Sequence, residues 1–212
     1  MQFSIQLPMA KTQFCVPLVI MTLAILAFLF DEQLSTQLIY HRTLITQSEF
    51  WRLFTGHFFH TNFAHLALNL SALILLWTLH GQFYTAQRYA FLFISCALFT
   101  SIGLYYFSQD LQQYVGLSGV LHGVFVWGAL LDIKHHDKTG YLLFIGVWLK
   151  ITYEQVYGAS TDVIALIDAN VAVDAHLWGA VAGLVFGLLS ILKKTNTASK
   201  NIEQDSAIRD LK

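Results

Sequence analysis

The sequence predicts an all-α membrane protein built on six transmembrane helices, and three observations carry that expectation. Hydrophobic side chains make up 56% of the 212 residues, and the mean hydropathy is +0.55. Asp, Glu, Lys and Arg together reach only 12%, against about 25% in a soluble domain. So few charges leave a water-facing surface uncovered, whereas lipid asks for none. The apolar residues also gather into six stretches, at about 14–30, 58–79, 89–107, 118–131, 141–149 and 171–192, parted by short polar segments. The organisation expected is an N-terminal tail over 1–13, a six-helix domain over 14–193 and a C-terminal tail over 194–212. A net charge of −1 and a pI near 6.7 provide no basic field for nucleic acid, which is excluded as a partner. Cys15 and Cys96 lie in apolar runs and read as small hydrophobes rather than a disulfide framework.

The first stretch reads as an uncleaved span, since Lys11 is a thin basic region and Phe30-Asp31-Glu32-Gln33 presents no small-residue cleavage site. Six spans place both termini on one side of the bilayer. With the N-terminus in the cytoplasm, nine of the twelve basic residues are cytoplasmic, and Arg42, Arg52 and Lys150 lie outside. The fourth stretch, Ser118 to Leu131, covers roughly 21 Å at 1.5 Å per residue, against a hydrocarbon core of roughly 30 Å. That helix should begin inside the membrane. The polar segment before it, from Ser108 to Tyr114, must then line a wet cavity or pack on protein, so a water-filled dent facing outward is expected. The fifth stretch is interrupted by Gly146 and Lys150; Lys150 must snorkel, and the element should be loosely packed and mobile. The tail from Thr195 to Lys212 is polar and reads as a solvated end.

Chemistry is concentrated in three places. The fourth stretch opens with Gly116-Leu117-Ser118-Gly119-Val120-Leu121-His122-Gly123, which puts a serine at a helix N-terminus within the bilayer. Unpaired N–H groups and the positive end of the helix dipole stabilise negative charge there, and flanking glycines let a backbone come close, as a nucleophile needs. The plainer alternative is an N-cap serine. His176, in the sixth stretch, is followed by Gly179, Gly183 and Gly187 on the same helical face, matching the Gly119/Gly123 pair. If those tracks meet, Ser118 and His176 come within hydrogen-bond reach and His176 is the general base. His65 and Asn69, one turn apart, form an oxyanion hole with the Ser118 backbone N–H, or alternatively glue helices together. No metal site is expected: His57, His60 and His65 lack the repeated histidine clusters of metal-dependent membrane enzymes, and His135-His136 falls in a different loop. His60 should instead fix the first loop. Asp174 lies about 200° around the helix from His176, so no acid is expected behind the histidine.

These pieces resemble the rhomboid family of intramembrane serine proteases: Trp51-Arg52 in the first loop, a His-rich stretch from His60 to Asn69 with HxxxN, GxSG from Gly116 to Gly119, and His176 followed by Gly179 and Gly183. The resemblance implies a six-helix rhomboid-like bundle, a Ser118–His176 dyad beneath an outward-facing cavity, no cofactor, a first loop partly in the membrane, and a fifth span that gates entry from lipid. Many bacterial rhomboids carry a tyrosine four residues after the serine, stacked beneath the catalytic imidazole; here that position is His122. The segment SGxLHG is similar to the rhombosortase branch. That similarity implies secreted protein substrates bearing a C-terminal Gly-Gly, a single transmembrane helix and a basic tail. It also implies residence in the inner membrane of Gram-negative bacteria, with both termini cytoplasmic and the active site open to the periplasm. His122 should support the dyad by stacking under His176 or donating to it, or be tied to a backbone carbonyl. The competing readings are an inactive rhomboid-like protein that binds transmembrane helices, and a small transporter. Intact Ser118 and His176 argue against the first, and the lack of an inverted repeat against the second. Nothing in the sequence indicates an oligomeric state.

Overall fold

The computed structural model describes residues 7–209, the segment 193–209 by its backbone alone. Its long helices are α1 (Lys11–Leu29), α5 (Phe63–His80), α6 (Ala86–Phe107), α7 (Ser118–Lys134), α8 (Thr139–Tyr157) and α10 (Val173–Arg209). Between α1 and α5 the chain forms α2 (Asp31–Leu38), β1 (Tyr40–His41), α3 (Arg42–Thr46) and α4 (Arg52–Thr55); α9 (Thr161–Ile167) precedes α10. A two-residue strand β2 (Gln113–Tyr114) pairs antiparallel with β1, Tyr40 facing Tyr114 and His41 facing Gln113. Side-chain caps start several of these helices: the Asn62 oxygen accepts from the His65 backbone N–H (2.8 Å) and the Thr85 hydroxyl from that of Arg88 (3.3 Å).

The expectation of six transmembrane helices is corrected here. Four helices among the described residues are long and apolar enough to cross a membrane: Lys11–Leu29, Phe63–Phe83, Ala86–Phe107 and Val173–Leu192. The stretches at 118–131 and 141–149 do form helices, α7 and α8. At 17 residues α7 reaches about 26 Å, short of a hydrocarbon core of roughly 30 Å. Helix α8 runs well past residue 149 and takes in Lys150 and Glu154, which dilute its apolar character. Counting apolar stretches conflated crossing the lipid with being buried among helices that cross it. The chain is an all-α bundle and a multi-pass membrane protein with four such helices. The tail beyond Thr195 continues the α10 backbone to Arg209; its side chains, and residues 210–212, lie outside the described residues.

Helix α7 sits in the middle, against α5, α6, α8 and α10. Twelve of its 17 residues are buried, which is why it is apolar on every face. By contrast α8 buries only Gly140, Val147 and Ile151. Against α10, α7 makes backbone contact. A Cβ built on Gly179 would overlap the Gly119 carbonyl, and one on Gly183 the Gly123 carbonyl. Lipid supplies no hydrophobic drive between helices, so close approach through small residues is what holds such a pair.

The segment between α1 and α5 is organised by one cation. Buried Arg52 donates to Glu49 Oε2 (2.6 Å), to the Ile39 carbonyl (2.9 Å) and to the Thr36 carbonyl (3.0 Å), tying its own turn to the C-terminal end of α2. Trp51 Nε1 donates to the Gln37 carbonyl at 3.0 Å. His60 does less there: its Nδ1 pairs with the neighbouring Phe58 carbonyl, and its Nε2 finds no partner among the described residues.

Gly183→Val should lower thermal stability in detergent by about 1–3 kcal/mol, because the added branch must force α7 and α10 apart. Gly146→Ala, where a Cβ meets nothing within 4 Å, should be neutral or stabilising by up to about 1 kcal/mol on helix propensity. Thermal unfolding of both variants checks the pair; equal destabilisation would remove the close-contact account.

Candidate active site

The lead-in to α7 is shaped before the helix begins. Gly116 takes φ +114°, a left-handed conformation, and a Cβ there would sit 2.8 Å from His65 Nε2. Its carbonyl accepts from the Tyr114 hydroxyl at 2.8 Å, so the β1–β2 ladder anchors the turn that delivers Ser118 as the first residue of α7. Above it lies a cavity of about 210 Å³ whose walls include Thr61, His65, Gln113, Tyr114, Ser118 and Asn170. The polar segment before Ser118 therefore does border a pocket.

His176 enters from the first turn of α10, with Nε2 3.0 Å from Ser118 Oγ. Its other nitrogen, Nδ1, lies 2.8 Å from Glu154 Oε2. Lys150, one turn earlier on α8, places its ammonium 2.7 Å from the same carboxylate oxygen, 3.0 Å from His122 Nε2 and 3.4 Å from His176 Nδ1. The His122 ring stacks on that of His176, centroids 4.1 Å apart and planes 19° from parallel, while its Nδ1 lies 2.7 Å from the Ser118 carbonyl. Stacking and a backbone tie, posed above as alternatives, coexist.

Glu154 was missed in the sequence. Placing the end of the fifth stretch at residue 149 made it a loop acid, and Lys150 a snorkelling lysine. The available signal was their i, i+4 spacing, which puts both on one helical face. Asp174 is occupied elsewhere, accepting from Ser108 Oγ at 2.5 Å. His122, Glu154 and His176 also present one ligand atom each within 4.8 Å of one another, a donor set that could hold a metal ion and that includes none of His57, His60 and His65. The Lys150 ammonium lies within hydrogen-bond distance of two of those groups, Glu154 Oε2 (2.7 Å) and His122 Nε2 (3.0 Å).

His65 Nδ1 lies 3.2 Å from the Thr61 hydroxyl oxygen, which itself donates to the Ile167 carbonyl (2.6 Å), and 3.4 Å from the Thr61 backbone N–H; its Nε2 is turned to Gly116. Asn69 Nδ2 donates to the His65 carbonyl at 3.1 Å and lies on the Gly116 side, 3.8 Å from a Cβ placed there. Both nitrogens thus face the backbone just ahead of Ser118, although Asn69 does not line the cavity wall.

A second histidine–serine pair exists. His57 Nε2 lies 3.0 Å from Ser101 Oγ, and both residues are fully buried. The same nitrogen is 3.0 Å from the Ala97 carbonyl, which only accepts. Nε2 therefore carries its proton and donates, so it cannot relieve Ser101 of one. His57 Nδ1 lies 3.4 Å from the Gly116 carbonyl; with the proton on Nε2 both are acceptors, so the ring packs against the Gly116 turn and its donated hydrogen bond goes to α6.

A rhomboid domain matches residues 47–193, which leaves α1 outside the match. The chain is 27% identical over 160 residues to the rhomboid protease GluP of Bacillus subtilis (strain 168), covering 76% of this chain and 30% of that protein. It is 23% identical over 157 residues to YdcA, a candidate rhomboid protease of the same organism, covering 71% of this chain and 72% of that one. The chain thus spans under a third of the length of GluP. A hydrogen-bonded histidine–serine pair within such a domain is consistent with a serine-protease active site.

A fluorophosphonate probe should attach to Ser118, which faces the cavity beside an unprotonated nitrogen, and leave Ser101 unmodified. Peptide mass spectrometry of the labelled protein locates the adduct. Modification of Ser101 would make the buried pair the reactive one.

Proposed function

The chain belongs to the rhomboid family, and we propose that it is an intramembrane serine endopeptidase of the rhombosortase kind, with Ser118 as nucleophile and His176 as general base. The observation that carries this reading is the 3.0 Å approach of His176 Nε2 to Oγ of Ser118, a residue that lines the cavity. In the reaction, Ser118 Oγ attacks the scissile carbonyl as His176 takes its proton. The proton then passes to the leaving amine, and water resolves the acyl-enzyme. The Ser118 backbone N–H, His65 Nε2 and Asn69 Nδ2 are the donors assigned to the oxyanion. Gly116, Gly119, Gly123, Gly179 and Gly183 serve by letting these groups approach.

The substrates assigned are secreted proteins ending in Gly-Gly, one transmembrane helix and a basic tail. The SGxLHG segment supports this, and a cavity of about 210 Å³ suits a peptide with no side chains at the cut. Orientation has a support that does not depend on the number of spans. Lys11 opens α1 beside Pro8, which contacts Gly81; Arg88 donates to the Phe83 carbonyl (3.2 Å), and Phe83 stacks on His135 next to Lys134. These cations gather at the end of the bundle away from Ser118, where basic residues mark the cytoplasmic side. On that basis the site opens to the periplasm of a bacterial inner membrane, with α1 starting from the cytoplasm.

Co-expression with a reporter carrying a Gly-Gly, helix and basic-tail terminus, followed by mass spectrometry of the released end, tests the proposal. Ser118→Ala and His176→Ala should each abolish cleavage without removing the protein from the membrane, since the two act as a unit. Asn69→Ala and His65→Ala should slow it about 10²–10³-fold each. Cleavage of the reporter by Ser118→Ala at the wild-type rate would end the assignment; cutting of other helices but not this one would leave a protease of different specificity.

A further inference from the structure

Which nitrogen of His176 holds the proton is settled by its neighbours. Glu154 Oε2, at 2.8 Å from Nδ1, only accepts while ionised, so Nδ1 donates and the Nε2 lone pair is left facing Ser118 Oγ at 3.0 Å. Remove that carboxylate and the remaining polar neighbour of Nδ1 is the Lys150 ammonium at 3.4 Å. An ammonium only donates, so it would draw the proton onto Nε2 and leave His176 unable to accept from the serine.

Lys150 in turn holds the arrangement together. Its salt bridge to Glu154 (2.7 Å) joins residues one helical turn apart, with the carboxylate 12% exposed and the lysine side chain 47% exposed. Its contact with His122 Nε2 (3.0 Å) makes that nitrogen an acceptor, so His122 Nδ1 carries a proton and donates to the Ser118 carbonyl. A single lysine–glutamate pair thereby sets the tautomer of both stacked rings. When His176 becomes an imidazolium, it has the ammonium of Lys150 close by and only Glu154 as a counter-charge in contact.

We propose that Glu154 is a positioning residue, held by Lys150, that fixes His176 in its reactive tautomer and balances its charge, so that Ser118, His176 and Glu154 work as a three-membered relay. This rests on the reading of Ser118 and His176 as nucleophile and base. In the relay, the Ser118 proton passes to His176 Nε2 while the Nδ1 proton stays on nitrogen, shared in a hydrogen bond with an unprotonated Glu154.

The test uses the full chain in detergent micelles, with three readouts on one set of proteins. Proton NMR of histidine-labelled wild-type protein should show a far-downfield Nδ1–H resonance that disappears in His176→Ala and in Glu154→Gln. Glu154→Gln should lower kcat about 10²–10⁴-fold with KM within about twofold, and Glu154→Asp, which keeps a carboxylate, should recover part of the loss. Fluorophosphonate labelling of Ser118 should slow in parallel. Absence of the downfield resonance from the wild-type protein overturns the proposal whether or not any variant folds, and so does wild-type labelling of Glu154→Gln. Wild-type protein that shows the resonance yet takes no label at Ser118 would overturn the nucleophile assignment beneath it, a result distinct from either.

Discussion

The contact between α7 and α10 is made by backbones. Gly119 and Gly123 offer carbonyls where Gly179 and Gly183 have no side chains, and a Cβ at either of the latter would overlap them. His176 stands one turn before Gly179, and Ser118 one residue before Gly119, so their 3.0 Å separation is read directly off this contact. Widening the interface by the thickness of a methyl group would break the hydrogen bond before it exposed any core. In lipid the attraction between helices is mainly van der Waals packing, which makes a close, smooth interface the available means of fixing two polar groups at hydrogen-bond distance.

Around that contact, buried polar groups are used as struts. Arg52 draws the end of α2 to the turn at Glu49, the Tyr114 hydroxyl holds the Gly116 carbonyl, and His57 donates to the Ala97 carbonyl within α6. Each group satisfies a partner whose desolvation would otherwise cost about 1–3 kcal/mol. His80 and Asp132 do the same at the other end of the bundle, 3.0 Å apart and buried. The polar content of this apolar chain is low, and much of it is spent on fixing turns whose position decides where Ser118 and His65 point.

Local patterns in the sequence told much of this. Glycines four apart in two stretches point to a close helix contact, and a serine after a glycine-rich turn points to a helix start; both features are present at Gly119/Gly123, Gly179/Gly183 and Ser118. What the pattern could not convey was environment. Helix α7 is apolar because protein surrounds it, and an apolar run of that length looks the same whether its neighbours are lipid or helices, so six spans were expected where four helices qualify. Glu154 escaped for a related reason. An acid beyond an apolar run reads as a loop residue until the helix is seen to continue through Tyr157, and nothing local links it to a histidine 22 residues later.

One feature of α8 has a bearing on control. It is the least embedded of the long helices around α7, with three buried residues, and Lys150 and Glu154 both stand on its second half. The groups that touch His122 and His176 from this side therefore travel with a thinly anchored element, whereas Ser118 and His176 ride on the two most tightly apposed ones. Outward movement of α8 would withdraw acid and ammonium in a single stroke and leave serine and histidine where they are. On the proposed reading the arrangement is that of a safety catch: the serine and histidine meet through the α7–α10 contact, and their readiness would be tied to whether the outer helix is seated.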